Sequence, residues 1–337
     1  MKIFVAGGAG FIGSNFIRFM LNKYSEVSIH NYDSLTYAGN LENLEGLEDN
    51  ERYSFTKGDI SRDDELVESL HEGFDVVVNF AAESHVDRSI EDPASFVRTN
   101  VLGTGILLNR CKDRKIPLFV QISTDEVYGT LGETGYFKED TPLSPNSPYS
   151  ASKCGADMIA LSYFRTFEYP VIITRCSNNY GPYQFPEKLI PLFITNALEN
   201  EQLPLYGDGM NVRDWIYVED HCDAIDRVIR RGRPGEVYNI GGECEKTNLE
   251  ITHQLLDLLG KSRELIRFVS DRPGHDWRYA MDIGKIESEL GFSPLTSFSS
   301  GLEKTVKWYK ENERWWRNVK SGEYIQYYKK VYGERLR

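Results

Sequence analysis

The chain has 337 residues, of which 40% are hydrophobic and 27% charged, a composition typical of a globular protein with a full core. Its formal net charge of −12 argues against nucleic acid or an anionic membrane surface as a partner. The five cysteines include no CxxC pair, so neither a disulfide framework nor a metal site is predicted. The first residues read as a strand rather than a signal sequence, and no apolar run approaches about 18 residues, which favours a cytoplasmic location.

A glycine-rich turn follows the first predicted strand. Residues 2–6 are apolar, and Gly7, Gly10 and Gly13 come next, just before a helical pattern of apolar residues begins. Glycine permits a tight turn and a close approach of the backbone to a pyrophosphate, which a helix N-terminus also favours. The GxxGxxG spacing alone fits a structural turn as well. Its position between strand and helix is the context that a dinucleotide site requires.

Asp33 is the predicted selector of the cofactor. It ends the second predicted strand, about 20 residues past Gly13, where a carboxylate binds the adenosine ribose hydroxyls of a dinucleotide. A carboxylate there repels a 2′-phosphate, and residues 34–40 include no Lys or Arg to receive one, so NAD is favoured over NADP. Taken alone, Asp33 fits a turn or cap residue equally well.

Two further strand ends are predicted to border the same cleft. Asp59 follows the third predicted strand and either meets the adenine amine or caps the helix that begins near Arg62. Ala81 and Ala82 follow the fourth strand, and small side chains there let a flat cofactor lie against the backbone. His85, farther along, is either a ligand contact or, as is commoner for a lone histidine, a packed side chain.

Two adjacent carboxylates, Asp125 and Glu126, follow Thr124 just after residues 116–122, a predicted strand that is apolar on both faces. In an open α/β sheet the ligand lies beyond the carboxyl ends of the strands. Neighbouring side chains in a strand point to opposite faces, so both carboxylates reach one cleft only if the strand ends and the chain turns. Two carboxyl groups forced together have pKa values pushed apart, giving one acid and one base. The simpler alternative is a solvated pair on a surface turn.

A tyrosine and a lysine open the next long helix. Tyr149 and Lys153 lie on one helix face, and an ammonium beside a phenol lowers the pKa of the phenol. A tyrosinate near neutrality is a general base for a sugar or alcohol hydroxyl. YxxxK also occurs by chance in helices, so its weight comes from the nucleotide-binding pattern before it. The polar loop at residues 130–148 is a candidate lid.

Alternating strands and helices predict an α/β fold, with a Rossmann-type doubly wound parallel sheet and a smaller C-terminal substrate-binding domain. Residues 1–181 form the main part of the predicted NAD-binding domain, and residues 182–337 form the substrate-binding region. The chain is expected to return to the main sheet near residues 212–242, so that the two parts interleave.

The chain resembles the dTDP-glucose 4,6-dehydratase family, of the extended short-chain dehydrogenase/reductase superfamily. The resemblance covers most of the chain and rests on GGAGFIG, AAESHVDRSI, STDEVYG, YSASK, NNYGPYQFPEKLIP, RDWIYVEDH and DRPGH. GGAGFIG and YxxxK mark only the superfamily, whereas Asp125 with Glu126 marks the 4,6-dehydratases, and EKLIP with DRPGH points to the dTDP-sugar branch. The segment between Tyr128 and Tyr149 is shorter than in some members, a departure that affects lid contacts and no catalytic position.

The resemblance implies a reaction and a role for each catalytic residue. Tyr149, helped by Lys153 and Thr124, deprotonates the glucose 4-hydroxyl while hydride leaves C4 for NAD. The resulting 4-ketone acidifies the C5 proton, which Glu126 removes, while Asp125 protonates the departing 6-hydroxyl as water. Return of the hydride to C6 gives the 4-keto-6-deoxy sugar and regenerates the cofactor, which is expected to stay bound.

The resemblance also implies two sets of binding residues and a homodimer. The cofactor-binding set is Gly7, Gly10, Phe11, Ile12, Gly13, Asp33, Asp59, Ile60, Ala81, Ala82, Thr99, Tyr149, Lys153 and Asn179. The substrate-binding set is Ser84, Thr124, Asn178, Glu187, Lys188, Leu189, Pro204, Tyr206, Arg213, Asn248, Arg272, His275 and Tyr279. Its basic members, His275 included, are expected to supply local positive charge for the substrate diphosphate. The dimer is expected to form through two long helices per subunit, at about residues 93–114 and 148–167.

Other functions remain open from the residues. An epimerase or a decarboxylase of the same superfamily is the nearest rival, but an epimerase needs the Tyr–Lys pair without Asp125 and Glu126. A dehydratase acting on a UDP- or CDP-sugar is harder to separate, because the choice of nucleobase depends on pocket shape. A non-catalytic NAD-binding sensor or scaffold would not need Thr124, the two carboxylates, Tyr149 and Lys153 all intact.

Overall fold

The computed structural model describes residues 1–321 and the single positions 324, 326, 328 and 331. Its strands are, in chain order, β1 (Lys2–Ala6), β2 (Ser28–Asp33), β3 (Tyr53–Lys57), β4 (Val76–Asn79), β5 (Phe119–Thr124), β6 (Val171–Cys176), β7 (Asn178–Tyr180), β8 (Leu203–Tyr206), β9 (Val212–Tyr217), β10 (Val237–Ile240), β11 (Glu245–Thr247) and β12 (Ile266–Val269). Seven of these form one parallel sheet in the order β10-β6-β5-β4-β1-β2-β3.

Both faces of this central sheet are buried. In β1, Ile3 and Val5 pack into one hydrophobic cluster, and Phe4 and Ala6 pack into another on the opposite face. Strands covered by helices on both sides are apolar at almost every position, which is why they read as continuous hydrophobic runs in the sequence. The predicted Rossmann-type α/β fold is confirmed.

Helices cover the two faces of the sheet and build the region beyond it. They are α1 (Phe11–Lys23), α2 (Asp63–Ser69), α3 (Val86–Glu91), α4 (Pro93–Phe96), α5 (Thr104–Asp113), α6 (Pro148–Phe167), α7 (Leu189–Leu198), α8 (Val218–Arg231), α9 (Asn248–Leu259), α10 (Gly284–Leu290), α11 (Phe298–Glu311) and α12 (Glu313–Val319). A π-helical segment, Val97–Gly103, joins α4 to α5, and α6 packs against both this segment and α5. Within the described residues, no helix combines the length and the apolar character needed to cross a membrane.

The order of the strands creates a crevice at one edge of the central sheet. The chain builds from β1 outward to β3 and then crosses to β4 on the other side of β1. The crevice beyond the carboxyl ends of β1 and β4 is therefore a topological switch point, the place where open α/β sheets bind ligands.

A second hydrophobic core lies in the later part of the chain. It contains Phe193, Leu255 and Trp316, among other residues of α7, α9, α11 and α12. Two small sheets accompany it, one with the order β11-β9-β7 and one with the order β12-β8. The division of the chain near residue 181 stays a prediction, and the part of the predicted substrate-binding region beyond residue 321 lies outside the described residues except for the four single positions.

Strand β9 belongs to a different sheet from the one expected. It falls in the segment 212–242 that was expected to return to the central sheet, but it pairs with β7 and β11. The physical reason is that β7, which begins just after β6 ends, has already turned away from the central sheet, and β9 aligns with it. Only β10 of this segment joins the central sheet, beside β6.

The candidate lid at residues 130–148 is anchored at its middle. Phe137 is buried, its N–H donates to the carbonyl oxygen of Ala280 at 2.8 Å, and its carbonyl oxygen accepts a hydrogen bond from Asn239 Nδ2 at 3.0 Å. Its ring stacks on Tyr128 with 4.9 Å between centroids. Motion of the whole loop would have to break these contacts.

Candidate active site

Two adjoining cavities open at the carboxyl edge of the central sheet. The larger has a volume of about 1610 Å³ and the smaller about 980 Å³, both counted with their open mouths. The larger runs from the glycine turn to α6, and the smaller lies between the sheet and the second core. The residues that line both are Glu126, Asn178, Asn179, Gln184, Glu187 and Lys188. A ligand spanning the two cavities would pass these side chains.

The glycine turn between β1 and α1 is packed too tightly for side chains. Gly7 has φ +80°, and a Cβ there would lie 2.4 Å from the backbone nitrogen of Ala81. A Cβ on Gly13 would lie 2.4 Å from the carbonyl oxygen of Gly7. The turn is therefore a shaped cradle at a helix N-terminus, which fits the pyrophosphate of a dinucleotide.

Gly7→Ala is expected to lower the affinity for NAD by more than tenfold and to lower the melting temperature, because its Cβ must displace the Ala81 backbone. Gly46→Ala is the matched control, since Gly46 has φ +86° but nothing within 4 Å of an added Cβ. The control variant is destabilised only by placing an alanine in the left-handed backbone conformation, by about 1–2 kcal/mol. Calorimetric titration with NAD and thermal unfolding measure both effects, and equal NAD affinity in the two variants would contradict the cradle.

Asp33 and Asp59 both border the larger cavity. Asp33 is buried and accepts hydrogen bonds from the N–H groups of Ala9 at 2.9 Å and Leu35 at 2.8 Å. It thus ties the end of β2 to the glycine turn while facing the cavity. The helix-capping interpretation of Asp59 is wrong, because α2 begins at Asp63 and its N-cap residue is Arg62.

Asn100 supports the cavity wall and has no marker in the sequence. Its Oδ1 accepts a hydrogen bond from the N–H of Glu83 at 2.9 Å, and its Nδ2 donates to the carbonyl oxygen of Glu83 at 3.0 Å and to Ser152 Oγ at 2.8 Å. It lies in the π-helical segment next to Thr99, which lines the larger cavity. Because a π-helical turn leaves no distinct sequence pattern, Asn100 could not be predicted.

The two adjacent carboxylates share one cleft. β5 ends at Thr124, and a 3-10 turn, Asp125–Tyr128, follows directly. The Thr124 hydroxyl donates to Asp125 Oδ1 at 3.2 Å, and its oxygen accepts from the Glu126 N–H at 3.3 Å. The turn brings both carboxylates to the larger cavity, and Asp125 is only 2% exposed. A solvated pair on a surface turn is thereby excluded.

The surroundings of the two carboxyl groups differ in charge. Burial raises the pKa of Asp125 well above its usual value, and the neighbouring Glu126 raises it further. Burial also raises the pKa of Glu126, but Arg272, Lys188 and Arg213 oppose this increase. Asp125 is therefore held toward its protonated form, and Glu126 has cations that favour its carboxylate. This arrangement suits an acid at Asp125 and a base at Glu126.

Tyr149 and Lys153 lie on one face of α6 and both line the larger cavity. Lys153 Nζ donates to the carbonyl oxygen of Ile122 at 2.6 Å, and no hydrogen bond joins it to Tyr149 in the described chain. Burial raises the pKa of Tyr149 well above its usual value, and Glu126 raises it further. The expected lowering of the Tyr149 pKa is therefore wrong for this structure, because burial and the Glu126 charge outweigh the hydrogen bond with Thr124.

Three basic side chains, Lys188, Arg213 and Arg272, line the smaller cavity beside the N-terminus of α7. Arg213 Nη2 donates to the carbonyl oxygen of Asp276 at 2.9 Å, and its guanidinium carbon lies 4.3 Å from the centre of the Tyr279 ring. Basic side chains and helix N-termini both favour an anionic group. A diphosphate fits this cavity even though the whole protein is acidic.

Two histidines of the smaller cavity are neutral. His275 Nδ1 lies 2.6 Å from Asp271 Oδ1, yet burial and the nearby Arg272 lower the pKa of His275 to about 4. The expected positive charge on His275 is therefore wrong, because burial and cationic neighbours outweigh Asp271. His85 also lines this cavity, and burial followed by Lys188 lowers its pKa well below its usual value. His85 thus faces the cavity as an uncharged polar group.

The structure brings together every residue that the sequence singled out for binding. Each member of the predicted cofactor-binding set lines the larger cavity. The predicted substrate-binding set is divided between the two cavities. Ser84 and Thr124 line the larger cavity, and Asn178, Glu187 and Lys188 line both. The remaining members line the smaller cavity: Leu189, Pro204, Tyr206, Arg213, Asn248, Arg272, His275 and Tyr279. The individual contacts with ligands stay predictions. Among the described residues, no group of His, Cys, Asp and Glu side chains could hold a metal ion.

Gln184 is a lining residue that sequence reasoning missed. It borders both cavities, and its Nε2 donates to the backbone carbonyl oxygen of Asn179 at 2.9 Å. Its backbone carbonyl oxygen accepts a hydrogen bond from the Tyr309 hydroxyl. Its position depends on α11, which is far away in the sequence, so the local pattern contained no signal for it.

Comparison with known proteins gives consistent relatives. A family model described as GDP-mannose 4,6 dehydratase matches residues 4–305. A dTDP-glucose 4,6-dehydratase from Streptomyces niveus is 51% identical over 95% of this chain and 96% of its own length. The dTDP-glucose 4,6-dehydratase of Bacillus anthracis in complex with NAD has a TM-score of 0.88 at 54% identity, covering 95% of this chain and 99% of the other. The DesIV dTDP-glucose 4,6-dehydratase of Streptomyces venezuelae, solved with NAD and TDP, has a TM-score of 0.92 at 52% identity, covering 95% and 100%.

The central parallel sheet, the glycine turn and the YxxxK helix beside a dinucleotide-sized cavity define an extended short-chain dehydrogenase/reductase. Within that class, the adjacent carboxylates distinguish a dehydratase from an epimerase; both line the larger cavity, and Glu126 also lines the smaller. The chain belongs to the GDP-mannose 4,6-dehydratase family and, within it, to the dTDP-glucose 4,6-dehydratases.

Proposed function

We propose that the chain converts dTDP-glucose to dTDP-4-keto-6-deoxyglucose and water, as an NAD-dependent hydro-lyase. The observation that carries the proposal is the Asp125–Glu126 pair beside the junction of a dinucleotide-sized cavity and a cation-lined cavity. A nucleotide sugar whose diphosphate lies near Lys188 and Arg213 would extend its hexose toward that junction. The similarity to dTDP-glucose 4,6-dehydratases over 95% of the chain supports the same reaction.

The proposed mechanism gives each catalytic side chain one task. NAD, when bound in the larger cavity against the glycine turn and Asp33, would accept the hydride from C4 of the sugar and supply it to C6 after water has left, which gives the 4-keto-6-deoxy product. Tyr149 takes the proton of the 4-hydroxyl, and Lys153 stabilises the phenolate through its charge. Glu126 then removes the C5 proton, which the 4-ketone has made acidic. Asp125, held toward its protonated form, gives its proton to the 6-hydroxyl, because hydroxide is a poor leaving group.

The substrate test is incubation of the protein with dTDP-glucose, UDP-glucose and CDP-glucose, followed by mass spectrometry of the products. We expect loss of one water from dTDP-glucose and slower or no loss from the other two. Water loss with preference for another nucleotide would retain the dehydratase and reject the dTDP assignment. Inversion at C4 without water loss would instead identify an epimerase.

We expect NAD to co-purify with the protein, because each turnover regenerates it, and to be released on denaturation.

Asp33→Asn keeps the shape of the side chain and loses the charge that repels a 2′-phosphate. The ratio of the affinities for NAD and NADP is therefore expected to fall by about tenfold. Calorimetric titration of protein freed of nucleotide measures both affinities. Asp49→Asn makes the same charge change at an exposed position and is expected to leave the preference unaltered. An unchanged preference in Asp33→Asn would reject its role as selector.

We infer a homodimer formed through α6 and the helical stretch at residues 93–113. These helices expose large apolar side chains to solvent, among them Val97, Leu102, Met158 and Phe167, of which Leu102 is 53% exposed. Exposed apolar side chains gathered on neighbouring helices are typical of an interface.

We also infer a cytoplasmic location. All five cysteines are free thiols, which agrees with a reducing compartment.

The dimer is tested by light scattering coupled to size-exclusion chromatography. Leu102→Asp places a charge in the proposed interface and is expected to shift the mass toward that of a monomer. Leu295→Asp is the control, because Leu295 is 85% exposed and lies outside these helices. A parent protein of monomer mass, or a Leu102→Asp variant that stays dimeric, would count against this interface.

A further inference from the structure

Asp157 is a buried carboxylate that the proposed mechanism leaves unused. It lies on α6 one turn beyond Lys153 and two turns beyond Tyr149, so the three side chains share one helix face. Asp157 is completely buried, and Lys153 is only 4% exposed. Burying a charge without a compensating partner is costly, so each of these charges requires a partner in the surrounding structure.

Arg175 of β6 holds the Asp157 carboxylate in place. Its Nε donates to Asp157 Oδ2 at 2.9 Å, and its Nη1 donates to the Tyr128 hydroxyl at 2.9 Å. That hydroxyl in turn donates to Asn239 Oδ1 at 2.7 Å. These bonds join α6, β6 and β10 to the turn that carries the catalytic carboxylates. The position of Asp157 is therefore fixed by several elements of the fold.

Lys153 has a neutral hydrogen-bond acceptor, the carbonyl oxygen of Ile122. Burial lowers the pKa of Lys153, and Asp157 and Cys176 oppose that effect. Burial raises the pKa of the Cys176 thiol to about 12, so Cys176 carries no charge near neutrality. Burial also raises the pKa of Asp157, but the charge and the hydrogen bond of Arg175 oppose this increase. Asp157, held as a carboxylate by Arg175, is therefore the neighbour that counters the loss of the Lys153 proton. The elements around Lys153 carry further titratable side chains, namely Tyr149 and Cys154 on α6, Asp125, Glu126 and Tyr128 on the turn after β5, and Arg175 on β6.

We propose that Asp157 is a positioning residue that keeps the buried Lys153 protonated, with Arg175 holding the Asp157 carboxylate at the required place. Lys153 and Asp157 form no direct ion pair in the described chain, so the effect acts through space in a region of low dielectric. The inference rests on the proposed function, because the Lys153 charge matters for stabilising the Tyr149 phenolate. The alternative is an Asp157–Arg175 pair that only ties α6 to β6.

The direct test is titration of Lys153 by NMR in protein that carries lysine labelled with ¹³C at Cε. The resonance is identified by its loss in Lys153→Arg. Asp157→Asn, which keeps the shape of the side chain and an acceptor for Arg175, is expected to lower the Lys153 midpoint by about 1 pH unit or more. Asp157→Glu is expected to restore most of the shift. An unchanged midpoint in Asp157→Asn overturns the proposal.

Arg175→Lys separates the proposal from a structural ion pair. It keeps a positive charge beside the Asp157 carboxylate but cannot bridge Asp157 and Tyr128 as the guanidinium does, so the Lys153 midpoint is expected to stay while thermal stability falls. A midpoint that falls as much as in Asp157→Asn would show that only the loss of packing matters, and would reject the proposal. If Asp157→Asn does not fold, the double variant Asp157→Asn/Arg175→Met removes both charges and is expected to lower the midpoint in the same way.

The activity test uses the pH profile of NADH formation from dTDP-glucose in a single turnover. Asp157→Asn is expected to move the alkaline limb of this profile to lower pH, because Lys153 loses its proton earlier. In the Lys153→Arg background the guanidinium keeps its charge, so adding Asp157→Asn is expected to leave the limb unmoved. An equal movement there would mean that Asp157 acts on another group. A parent protein that forms no NADH would reject the proposed function, and the lysine titration would still decide the role of Asp157.

Discussion

Glu126→Gln is expected to form NADH with dTDP-glucose at nearly the parental rate but to release water about 10²–10⁴-fold more slowly. The substitution keeps the shape of the side chain and removes the base, and the C5 proton becomes acidic only after C4 has been oxidised. Single-turnover absorbance measures NADH, and mass spectrometry measures loss of water. In deuterium oxide the parent is expected to place solvent deuterium at C5 of its product, and the variant to lose this exchange.

Glu139→Gln is the matched control for this experiment. Burial raises the pKa of Glu139 as it does that of Glu126, and Glu139 Oε1 accepts a hydrogen bond from the Asn239 N–H at 3.0 Å, which a glutamine can also do. It lines neither of the two cavities, so parental water loss is expected. A Glu126→Gln protein that dehydrates at the parental rate, or a parental product without deuterium at C5, would remove Glu126 from the mechanism.

Tyr149→Phe is expected to slow NADH formation by about 10²–10⁴-fold, whereas Asp125→Asn is expected to spare it. The Tyr149 hydroxyl is the proposed base of the first step, and Asp125 acts only when water leaves. Single-turnover absorbance separates the two variants, because Asp125→Asn is expected to accumulate NADH and Tyr149→Phe to form almost none.

Tyr163→Phe is the control on the same helix. Its hydroxyl donates to the carbonyl oxygen of Gly105 at 3.4 Å, and it lines neither cavity, so both steps are expected to proceed at the parental rate. Equal NADH formation by Tyr149→Phe and Asp125→Asn would show that the roles of acid and base have been assigned to the wrong residues.

The sequence by itself was enough for the features that consist of neighbouring residues. The apolar strand before Gly7, the carboxylate at Asp33, the pair Asp125–Glu126 after a buried strand and the spacing of Tyr149 and Lys153 are each short patterns. Hydrophobic periodicity and glycine geometry are local properties, so these patterns predicted the parallel sheet and the edge at which a ligand would lie. The structure confirms the sheet and places these residues around two adjoining cavities.

Only the tertiary structure decided where β9 pairs and how the buried groups are charged. The neutral His275 and the raised pKa of Tyr149 differ from the expectations because burial depends on segments that are distant in the sequence. The same holds for Asp157, whose partner Arg175 comes from another element. A local pattern names the residues that can ionise, but the free energy of ionising them depends on the solvent and the charges that the complete fold puts around each one.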